Sequence, residues 1–529
     1  MIMRGCFLYL LVLIVSISIS ACNSQTTLDE QTEDVFLGQF RVNKDLFLAQ
    51  FDSKSDVDDI HSIAAIATML ADPRFSGVRY HAVAGAYGVQ TTAYVPSNEL
   101  FDRVFGDNWS DAHTDFSSAV TEVSDLVVAR LKAGGDIWIA EAGQSDFSAA
   151  VIKNAVKRLP SIDVRSRTNI VQHSKWNEKQ TRPENLAYVK SYGTYHKIPD
   201  GNREGNGSPG FKTPALPDWR EQLNDPELVD IWQMAIDIAN HYNGLEGRYS
   251  NKVILEGGMD FSDVSEMCWI FGFDHIVGAE QFFTTFGFKK LFNGKNWDGW
   301  YLKLRSGDAE MAKKVFAISD GMVHVFNESF PDEYNLGTGA NDTHGMFYTN
   351  DVYSKYVLRF EYKWGARIAN NFDQWQYDAG AYYHVIDDAI WPVGIEYQMR
   401  YDHTTGRNHT GDLIRPAGTG YDWFYNPETN DFLHPKDGGV PYEKKHWMHF
   451  SKETDNHNAL NDKWNQVEIV VMGSEYAIHK LNGDVVNMAV NLKPEAGIIG
   501  FQAETAELFY RNFWIKEFDS VVPAEAFLP

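Results

Sequence analysis

The segment Asp45–Asp72, DLFLAQFDSKSDVDDIHSIAAIATMLAD, combines two patterns that together suggest a fold. Its beginning, DLFLAQF, is a short apolar run of the kind found in buried strands. Its end places Ile60, Ile63 and Ala67 at helical spacing. Four aspartates and a lysine lie between the two patterns. The segment therefore predicts a strand, a charged loop and a helix, which is the repeating unit of an α/β domain.

The same alternation continues to about Thr285. Strand-like runs (VRYHAVAGAYG, DIWIAEAG and TNIVQHS) alternate with amphipathic helical runs such as SAVTEVSDLVVARLKAG and DFSAAVIKNAVKRL. Apolar strands separated by helices favour a parallel sheet that is covered on both faces. We therefore predict an α/β domain over residues 41–285, with ligands bound beyond the carboxyl ends of its strands.

The pattern changes after residue 285. Runs such as VLRFEYKW, AGAYYHVI, GIEYQMRY and NQVEIVVMG are typical of strands, and helical periodicity nearly vanishes. Many strands without helices between them favour an antiparallel sandwich. The predicted fold class is thus multidomain, with an α/β parallel-sheet domain followed by an all-β antiparallel sandwich over residues 286–520.

The first residues have the pattern of a secretory signal. MIMRGCFLYLLVLIVSISISAC contains Arg4, then an apolar run, then small residues before Cys22. The stretch before Cys22 resembles the lipobox of bacterial lipoproteins, which implies cleavage after residue 21 and lipidation of Cys22. Residues 22–40 would be an acidic tether. The expected location is the bacterial cell envelope, periplasmic or surface-exposed, with the lipid as the only membrane attachment.

Composition limits the classes of partner. The 529 residues carry a formal charge of −25, which disfavours nucleic acid because phosphate binding needs a basic surface. The mature chain keeps one cysteine besides Cys22, namely Cys268, among apolar residues. We expect Cys268 to be a buried small hydrophobe.

The aspartates of the opening segment have two interpretations. Hard cations such as Ca²⁺ prefer several carboxylate oxygens, so the cluster could hold a metal ion. Alternatively, Ser55 caps the helix, Asp58 closes a capping box, and the acids stabilise the helix N-terminus.

The segment also resembles the signature of the nucleoside hydrolase family. Asp52 matches its first aspartate, and Asp58 and Asp59 match its aspartate pair. EGGMDFSDVSE resembles a later acidic segment of the family, with Asp263 as the candidate distal carboxylate. The resemblance implies a metal site formed by these four aspartates. Lys54 occupies the place of the family's second aspartate, which is both general base and calcium ligand, and an ammonium has no lone pair for either role.

Two expectations follow from Lys54. Its ammonium should lie among Asp52, Asp58 and Asp59 in the place of the cation. The α/β domain should not hydrolyse ordinary ribonucleosides.

The second half resembles the 3-keto-disaccharide hydrolase family. The resemblance rests on LFNGKNWDGW near its start, on GIEYQM and TGDLI in its middle, and on DKWNQVEIVVMGSEYAIHKLNG and AGIIGFQAETAELFYRNFWIKEF near its end. It implies a concanavalin-like sandwich that acts on, or binds, glycosides. A divalent cation, calcium or another, is a candidate cofactor for this domain.

Alternation along the strands selects the candidate site residues. Polar residues on GIEYQMR, LRFEYKW, AGAYYHV and GFQAE share one strand face, opposite an apolar face. If those strands adjoin, one sheet face carries acids, amides, bases and aromatics together; otherwise the polar residues form an ordinary solvent-exposed face. The predicted catalytic residues are Glu396, His384, Lys363 and Arg400. The predicted substrate-binding residues are Glu361, Tyr382, Gln398, Gln502 and Glu504.

A ketone at sugar C3 makes the C2 hydrogen acidic, and this suggests a reaction. A base removes that hydrogen, an electrophile stabilises the enolate, the C1 substituent leaves, and water adds back. Glu396 is the first candidate base and His384 the second, with Lys363, Arg400 or a cation at the enolate. Alternatively, Glu396 and Glu504 form the pair of a conventional hydrolase. A non-catalytic glycan-binding lipoprotein, with a lectin-like sandwich and a degenerate nucleoside hydrolase-like domain, also fits the sequence.

Overall fold

A computed structural model describes residues 34–54, 56–202, 210–214, 219–331, 343–369, 373–416, 418–443 and 446–528. The signal segment, Cys22 and Ser55 lie outside these ranges. Within the described residues, no helix is both long enough and apolar enough to cross a membrane.

The N-terminal region contains ten strands and ten helices among its described residues. Its strands are β1 (Phe36–Leu37), β2 (Phe40–Arg41), β3 (Leu46–Phe51), β4 (Tyr80–Ala84), β5 (Trp109–Asp111), β6 (Ile137–Glu141), β7 (Thr168–Gln172), β8 (Thr194–Lys197), β9 (Lys212–Thr213) and β10 (Met259–Asp260). Its helices are α1 (Asp58–Leu70), α2 (Asn98–Phe105), α3 (Phe116–Lys132), α4 (Asp146–Arg158), α5 (Lys175–Gln180), α6 (Pro183–Tyr192), α7 (Pro226–Tyr242), α8 (Lys252–Leu255), α9 (Ser265–Ile270) and α10 (Ala279–Thr285).

Six of these strands form a parallel sheet in the order β5-β4-β3-β6-β7-β8. Two separate apolar clusters, one containing Phe47 and Phe51 and the other Leu48 and Ile139, lie on its two faces. Burial on both faces explains why β3 and β6 are apolar throughout. The predicted parallel α/β architecture is confirmed.

The C-terminal region is almost entirely strands. They are β11 (Lys289–Lys290), β12 (Trp300–Leu304), β13 (Phe316–Ser319), β14 (Met322–Val325), β15 (Gly345–Thr349), β16 (Lys355–Ile368), β17 (Tyr377–Val385), β18 (Ile395–Asp402), β19 (Arg407–Asn408), β20 (Leu413–Ile414), β21 (Gly420–Tyr425), β22 (Val440–Pro441), β23 (Met448–His449), β24 (Asn465–Met472), β25 (Tyr476–Leu481), β26 (Asp484–Lys493), β27 (Ile498–Ala503) and β28 (Ala506–Glu517). A short helix, α11 (Ala309–Val315), follows β12.

These strands form two antiparallel sheets, which confirms the predicted sandwich. The ten-stranded sheet has the order β13-β14-β28-β16-β24-β25-β26-β21-β22, with β11 paired to β28. The eight-stranded sheet has the order β12-β15-β27-β17-β18-β20-β23, with β19 paired to β18. One continuous core, which includes Phe347, Phe360 and Phe501, fills the space between them.

Charged contacts join the two regions. Arg359 on β16 donates to Asp72, 2.9 Å away, and to Glu468, 2.7 Å away. The ammonium of Lys516 on β28 donates to the backbone carbonyls of Gln222, Phe283 and Phe286 in the N-terminal region. Buried donors are thus satisfied across the junction, so each region contributes to the stability of the other.

Candidate functional site

The outer face of the eight-stranded sheet carries the polar residues that alternate with the core. On β18, Ile395, Tyr397 and Met399 point into the sandwich core. Glu396, Gln398 and Arg400 therefore point to the opposite face. The alternation predicted for GIEYQMR is present in the structure.

Strand pairing brings residues of β17 beside these side chains. Tyr382 lies opposite Glu396, and Asp378 lies opposite Arg400. Between them, Gly380 lies opposite Gln398. Glu396 leans across this glycine so closely that a Cβ at position 380 would lie 2.1 Å from its Oε1. Glycine at 380 is thus needed for the observed placement of the Glu396 carboxyl group.

A pocket of about 370 Å³ opens over this part of the sheet. It is lined by Tyr382, Trp391, Glu396, Gln398, Arg400, Ile414, Arg415, Pro416, Trp447 and Glu504. Its floor is buried and polar: Glu396 is 4 % exposed, whereas Trp391 and Trp447 are 40 % and 55 % exposed. Charged groups below and exposed aromatic rings above suit a sugar, which has hydroxyls along its edges and C–H groups on its faces.

An ion pair stabilises one end of the floor. Arg400 donates from its guanidinium to Asp378 Oδ2, at 2.8 and 3.0 Å, and Gln398 donates to Asp378 Oδ1 at 2.5 Å. Burial lowers the pKa of Arg400, but the charge and hydrogen bond of Asp378 more than offset this, so that its pKa is raised. The guanidinium remains a cation at any physiological pH.

Glu396 is a buried carboxyl group of this pocket with a strongly raised pKa. Burial raises the pKa of Glu396, against the hydrogen bond from the Tyr382 hydroxyl, to about 8. Such a group exchanges a proton readily near neutral pH, which is the property of a general acid or base.

Two further predicted residues are Gln502, which lies on β27, and Glu504, which follows the end of β27. Burial, and then the negative charges of Asp378 and Glu396, raise the pKa of Glu504 well above its usual range. Gln502 on β27 is 1 % exposed, and both of its side-chain amide atoms lack a hydrogen-bond partner among the described residues. Buried amides are normally paired, so Gln502 is suited to contact a bound ligand.

Lys363 and Glu361 are not part of this pocket, contrary to our prediction. Both lie on β16, which belongs to the ten-stranded sheet. Lys363 pairs with Asp462 at 2.5 Å, and Glu361 accepts from Arg511 at 2.6 Å. They lie on the far side of the sandwich because β16 pairs with β24 and β28 rather than with β17.

The position of His384 also does not fit the predicted role of a base. Its backbone adopts a φ of +52°, and the pairing of β17 with β27 is irregular between Tyr382 and Val385. Its ring nitrogens lie 2.8 Å from the carbonyl of Pro494 and 3.2 Å from that of Ser354. Burial lowers its pKa. The ring is therefore committed to the backbone, away from Glu396.

Sequence reasoning missed several residues at the pocket. Alternation along YDAGAYYHV places Asp378 on the strand face of Tyr382, although Asp378 is not among the predicted site residues. Trp391 and Trp447 lie in irregular segments before β18 and β23, as Arg415 and Pro416 lie after β20. No periodic pattern marks residues in such segments.

The N-terminal aspartates form a different kind of cluster at the carboxyl end of β3. Asp52 accepts hydrogen bonds from the amides of Gln90 and Gln144, at 3.0 and 2.6 Å, and from the backbone of Lys54 at 2.8 Å. Asp59 accepts from the backbone of Ser53 at 2.6 Å and also hydrogen-bonds Asp52. The first turn of α1 has Val57 at its N-cap without a side-chain hydrogen bond.

Burial and mutual repulsion favour the protonated form of these carboxyl groups. Burial, and then the charge of a neighbouring aspartate, raise the pKa values of Asp58, Asp59 and Asp263 well above their usual range. Burial also raises the pKa of Asp52. The positive charge of His173, whose ring lies 3.8 Å from Asp263, offsets only part of the rise in the pKa of Asp263.

Lys54 is not held among the aspartates, so that expectation is wrong. Its ammonium lies 3.6 Å from the centroid of the Tyr87 ring, in a cation–π contact. Burial lowers the pKa of Lys54, and the charge of Asp52 raises it only in part.

The donor set does not fit the calcium site that the resemblance implies. Within the described residues, no group of three or more histidine, cysteine, aspartate or glutamate side chains has the arrangement of a metal site. Asp52 already accepts three hydrogen bonds from the protein. No such group occurs among the described residues of the sandwich either.

Comparison with known proteins supports the C-terminal resemblance. Residues 287–516 match the family model of the 3-keto-alpha-glucoside-1,2-lyase-like domain. The match covers less than half of the chain and leaves the N-terminal region outside it. It supports a carbohydrate-active protein. No curated protein matches the chain.

Several solved structures are similar to part of the chain. A protein from Parabacteroides distasonis proposed to be a glycosyl hydrolase is 21% identical, with 44% of this chain and 94% of that chain covered and a TM-score of 0.27. The Bacillus licheniformis β-glucanase is 10% identical, with 44% of this chain and 96% of that chain covered and a TM-score of 0.25. A carbohydrate-binding module of Bacillus subtilis is 10% identical, with 33% of this chain and 82% of that chain covered and a TM-score of 0.22.

Proposed function

We propose that the sandwich cleaves a glycoside that carries a ketone at C3, by elimination followed by addition of water. The observation that carries the proposal is Glu396, a buried carboxyl group with a pKa near 8 at the base of a pocket. The pocket lies within the residues that match the lyase-like family model.

The first step is removal of a proton. The carboxylate of Glu396 takes the hydrogen from C2, and the electron pair forms an enolate that extends to the oxygen at C3. The guanidinium of Arg400 lies on the same strand face and supplies positive charge for that oxygen.

The second step breaks the C1–O bond. The enolate re-forms the ketone, a double bond forms between C1 and C2, and the leaving oxygen takes a proton. Glu504 is the candidate donor, because burial and the neighbouring negative charges raise its pKa and favour its protonated form. Addition of water across the double bond returns a 3-keto sugar, so that the net reaction is hydrolysis.

Other polar side chains near Glu396 are candidates for contacts with the substrate. Gln398 lines the pocket, Gln502 on β27 has an amide without a partner among the described residues, and the hydroxyl of Tyr382 contacts Glu396. A hydrolase that uses Glu396 and Glu504 as its two carboxyl groups would use the same pocket on an unoxidised glycoside.

A product assay tests the proposal. The mature protein is incubated with 3-keto disaccharides and with the corresponding unoxidised disaccharides, each with and without a chelator, and the released sugars are separated. We expect cleavage of the keto substrates and uptake of solvent deuterium at C2. Cleavage of only the unoxidised sugars would favour the two-carboxyl hydrolase instead.

A glycan-binding protein without activity is the second candidate. The exposed rings of Trp391 and Trp447 favour it, because such rings alone bind sugars. Binding of glycosides without any turnover in the product assay would support this alternative.

We also propose that the mature chain is anchored in the cell envelope by lipid on Cys22. The support is the resemblance of the stretch before Cys22 to a lipobox. Cys22→Ala should release the protein from the membrane fraction and abolish metabolic labelling with fatty acid. Unchanged fractionation and labelling would contradict the anchor.

A further inference from the structure

The wall of the pocket on the β12 side is a loop that is fastened to the sheet at several points. The β17–β18 loop, residues 386–394, contains Trp391. Within the loop, the backbone of Ile386 donates to Val393 at 3.0 Å, and the backbone of Val393 donates to Asp387 at 2.9 Å.

One side chain from each of strands β12 and β15 contacts this loop. Lys303 on β12 pairs with Asp388 at 2.5 Å, and the Tyr348 hydroxyl on β15 donates to the carbonyl of Ala389 at 2.5 Å. These contacts tie the loop to the two strands that lie farthest from Glu396 on that side of the sheet.

The Trp391 ring is itself held by two side chains. The guanidinium carbon of Arg305, the residue after β12, lies 4.1 Å from its centroid, over one face. The His344 ring meets it at 5.3 Å with an interplanar angle of 79°. Trp391 nevertheless remains 40 % exposed and lines the pocket.

We propose that Trp391 is the platform on which a pyranose ring of the substrate stacks, and that Arg305 and Lys303 are positioning residues that act through it. Arg305 lies over one face of the indole, and the residue keeps exposed surface while it lines the pocket. A tryptophan fixed before binding loses little entropy when a sugar packs on it. The inference rests on the proposed function for the class of ligand and adds the residues that place it.

Equilibrium binding separates this inference from the proposed chemistry. Calorimetry is carried out on the full mature chain and on Trp391→Ala, Arg305→Met, Arg305→Lys and Lys303→Met. The ligands are methyl α-D-glucopyranoside and, in a Glu396→Gln background that prevents cleavage, a 3-keto disaccharide. Lys290→Met is the matched control, because Lys290 lies over Trp514 at 5.4 Å on the other sheet.

We expect Trp391→Ala to weaken binding by roughly tenfold or more, and Arg305→Met to weaken it by a smaller factor. Arg305→Lys should recover much of the loss because it restores a cation over the ring, and Lys290→Met should bind as the wild type does. For turnover, Arg305→Met and Lys303→Met should raise KM more than they lower kcat.

The outcomes can be distinguished. Wild-type affinity in Trp391→Ala, or equal losses in Arg305→Lys and Arg305→Met, would overturn the platform while leaving the cleavage reaction intact. Binding that depends on Trp391 without any turnover would support the platform and contradict the proposed reaction. A wild-type protein that neither binds nor cleaves these glycosides would overturn both.

Discussion

Each of the two regions of this molecule buries a cluster of carboxyl groups, but the carboxyl groups have different partners in the two clusters. In the α/β region, Asp52 and Asp59 hydrogen-bond each other and backbone or amide donors. In the sandwich, Asp378 pairs with Arg400, and Glu396 lines an open pocket. In the first arrangement, carboxyl groups are satisfied by each other and by neutral donors; in the second, a permanent cation lies beside an acid that lines an open pocket. Acidic residues alone therefore do not define a functional site.

The largest expected effect is on catalysis in the sandwich. Glu396→Gln keeps the shape of the side chain and removes the carboxylate that takes the C2 proton. We expect kcat to fall by roughly 10²–10⁴-fold with the fold retained, measured with the 3-keto substrate and by circular dichroism. The wild-type kcat/KM should rise with pH through about 8, as Glu396 loses its proton. Wild-type turnover in Glu396→Gln would exclude Glu396 as the base.

The next effect concerns the ion pair under the pocket. Arg400→Met leaves Asp378 buried without its cation, and we expect the free energy of unfolding to fall by about 3–5 kcal/mol. The double variant Arg400→Met, Asp378→Asn should recover part of that loss because no lone charge remains. Denaturant unfolding measures both. Equal losses in the single and double variants would mean that packing, not charge, supports this part of the floor.

A smaller effect concerns the pH dependence of the aspartate cluster. Its pKa values are raised in the folded state, to about 6 for Asp56, so its contribution to stability is present in acid and is lost as pH rises through those values. Asp59→Asn should reduce the difference in unfolding free energy between pH 5 and pH 8 by on the order of 1 kcal/mol. The exposed Glu99→Gln serves as the control. An unchanged difference would show that the cluster does not share protons.

The smallest expected effect is on calcium binding by the same cluster. Lys54→Asp removes a nearby ammonium and adds two oxygens, so Ca²⁺ affinity should rise by roughly tenfold. Lys54→Met, which removes only the charge, should change the affinity less. Calorimetric titration compares the three proteins. Tight Ca²⁺ binding by the wild type, or release of free base from inosine, would show that the cluster is a metal site and would remove the contrast between the two regions.

Local pattern was enough to predict part of the site. The two-residue repeat of GIEYQMR placed Glu396, Gln398 and Arg400 on one face, because successive side chains of a strand point in opposite directions. The same reasoning failed for Lys363 and Glu361. Their alternation is correct, but β16 pairs with β24 and β28, and pairing over such sequence distances depends on the whole sandwich.

Local conformation caused the remaining errors. A positive φ at His384 and the irregular pairing of β17 turned its ring to backbone carbonyls, which no periodic pattern predicts. Lys54 was expected among carboxylates because of its charge and its place within the aspartate motif, but Tyr87 gives its ammonium an aromatic partner. In each case the sequence named the residue and the surrounding chain decided its contacts.

The amino-acid sequence by itself determined the two architectures, since burial on both faces requires continuous apolar strands and burial on one face requires alternation. It also determined the chemical types available on β18. Only the tertiary structure decided which strands share a sheet, and hence that Asp378 meets Arg400 and that Trp391 and Trp447 line the same pocket. Those contacts join residues from separate strands and loops, so they exist only once the sandwich has formed.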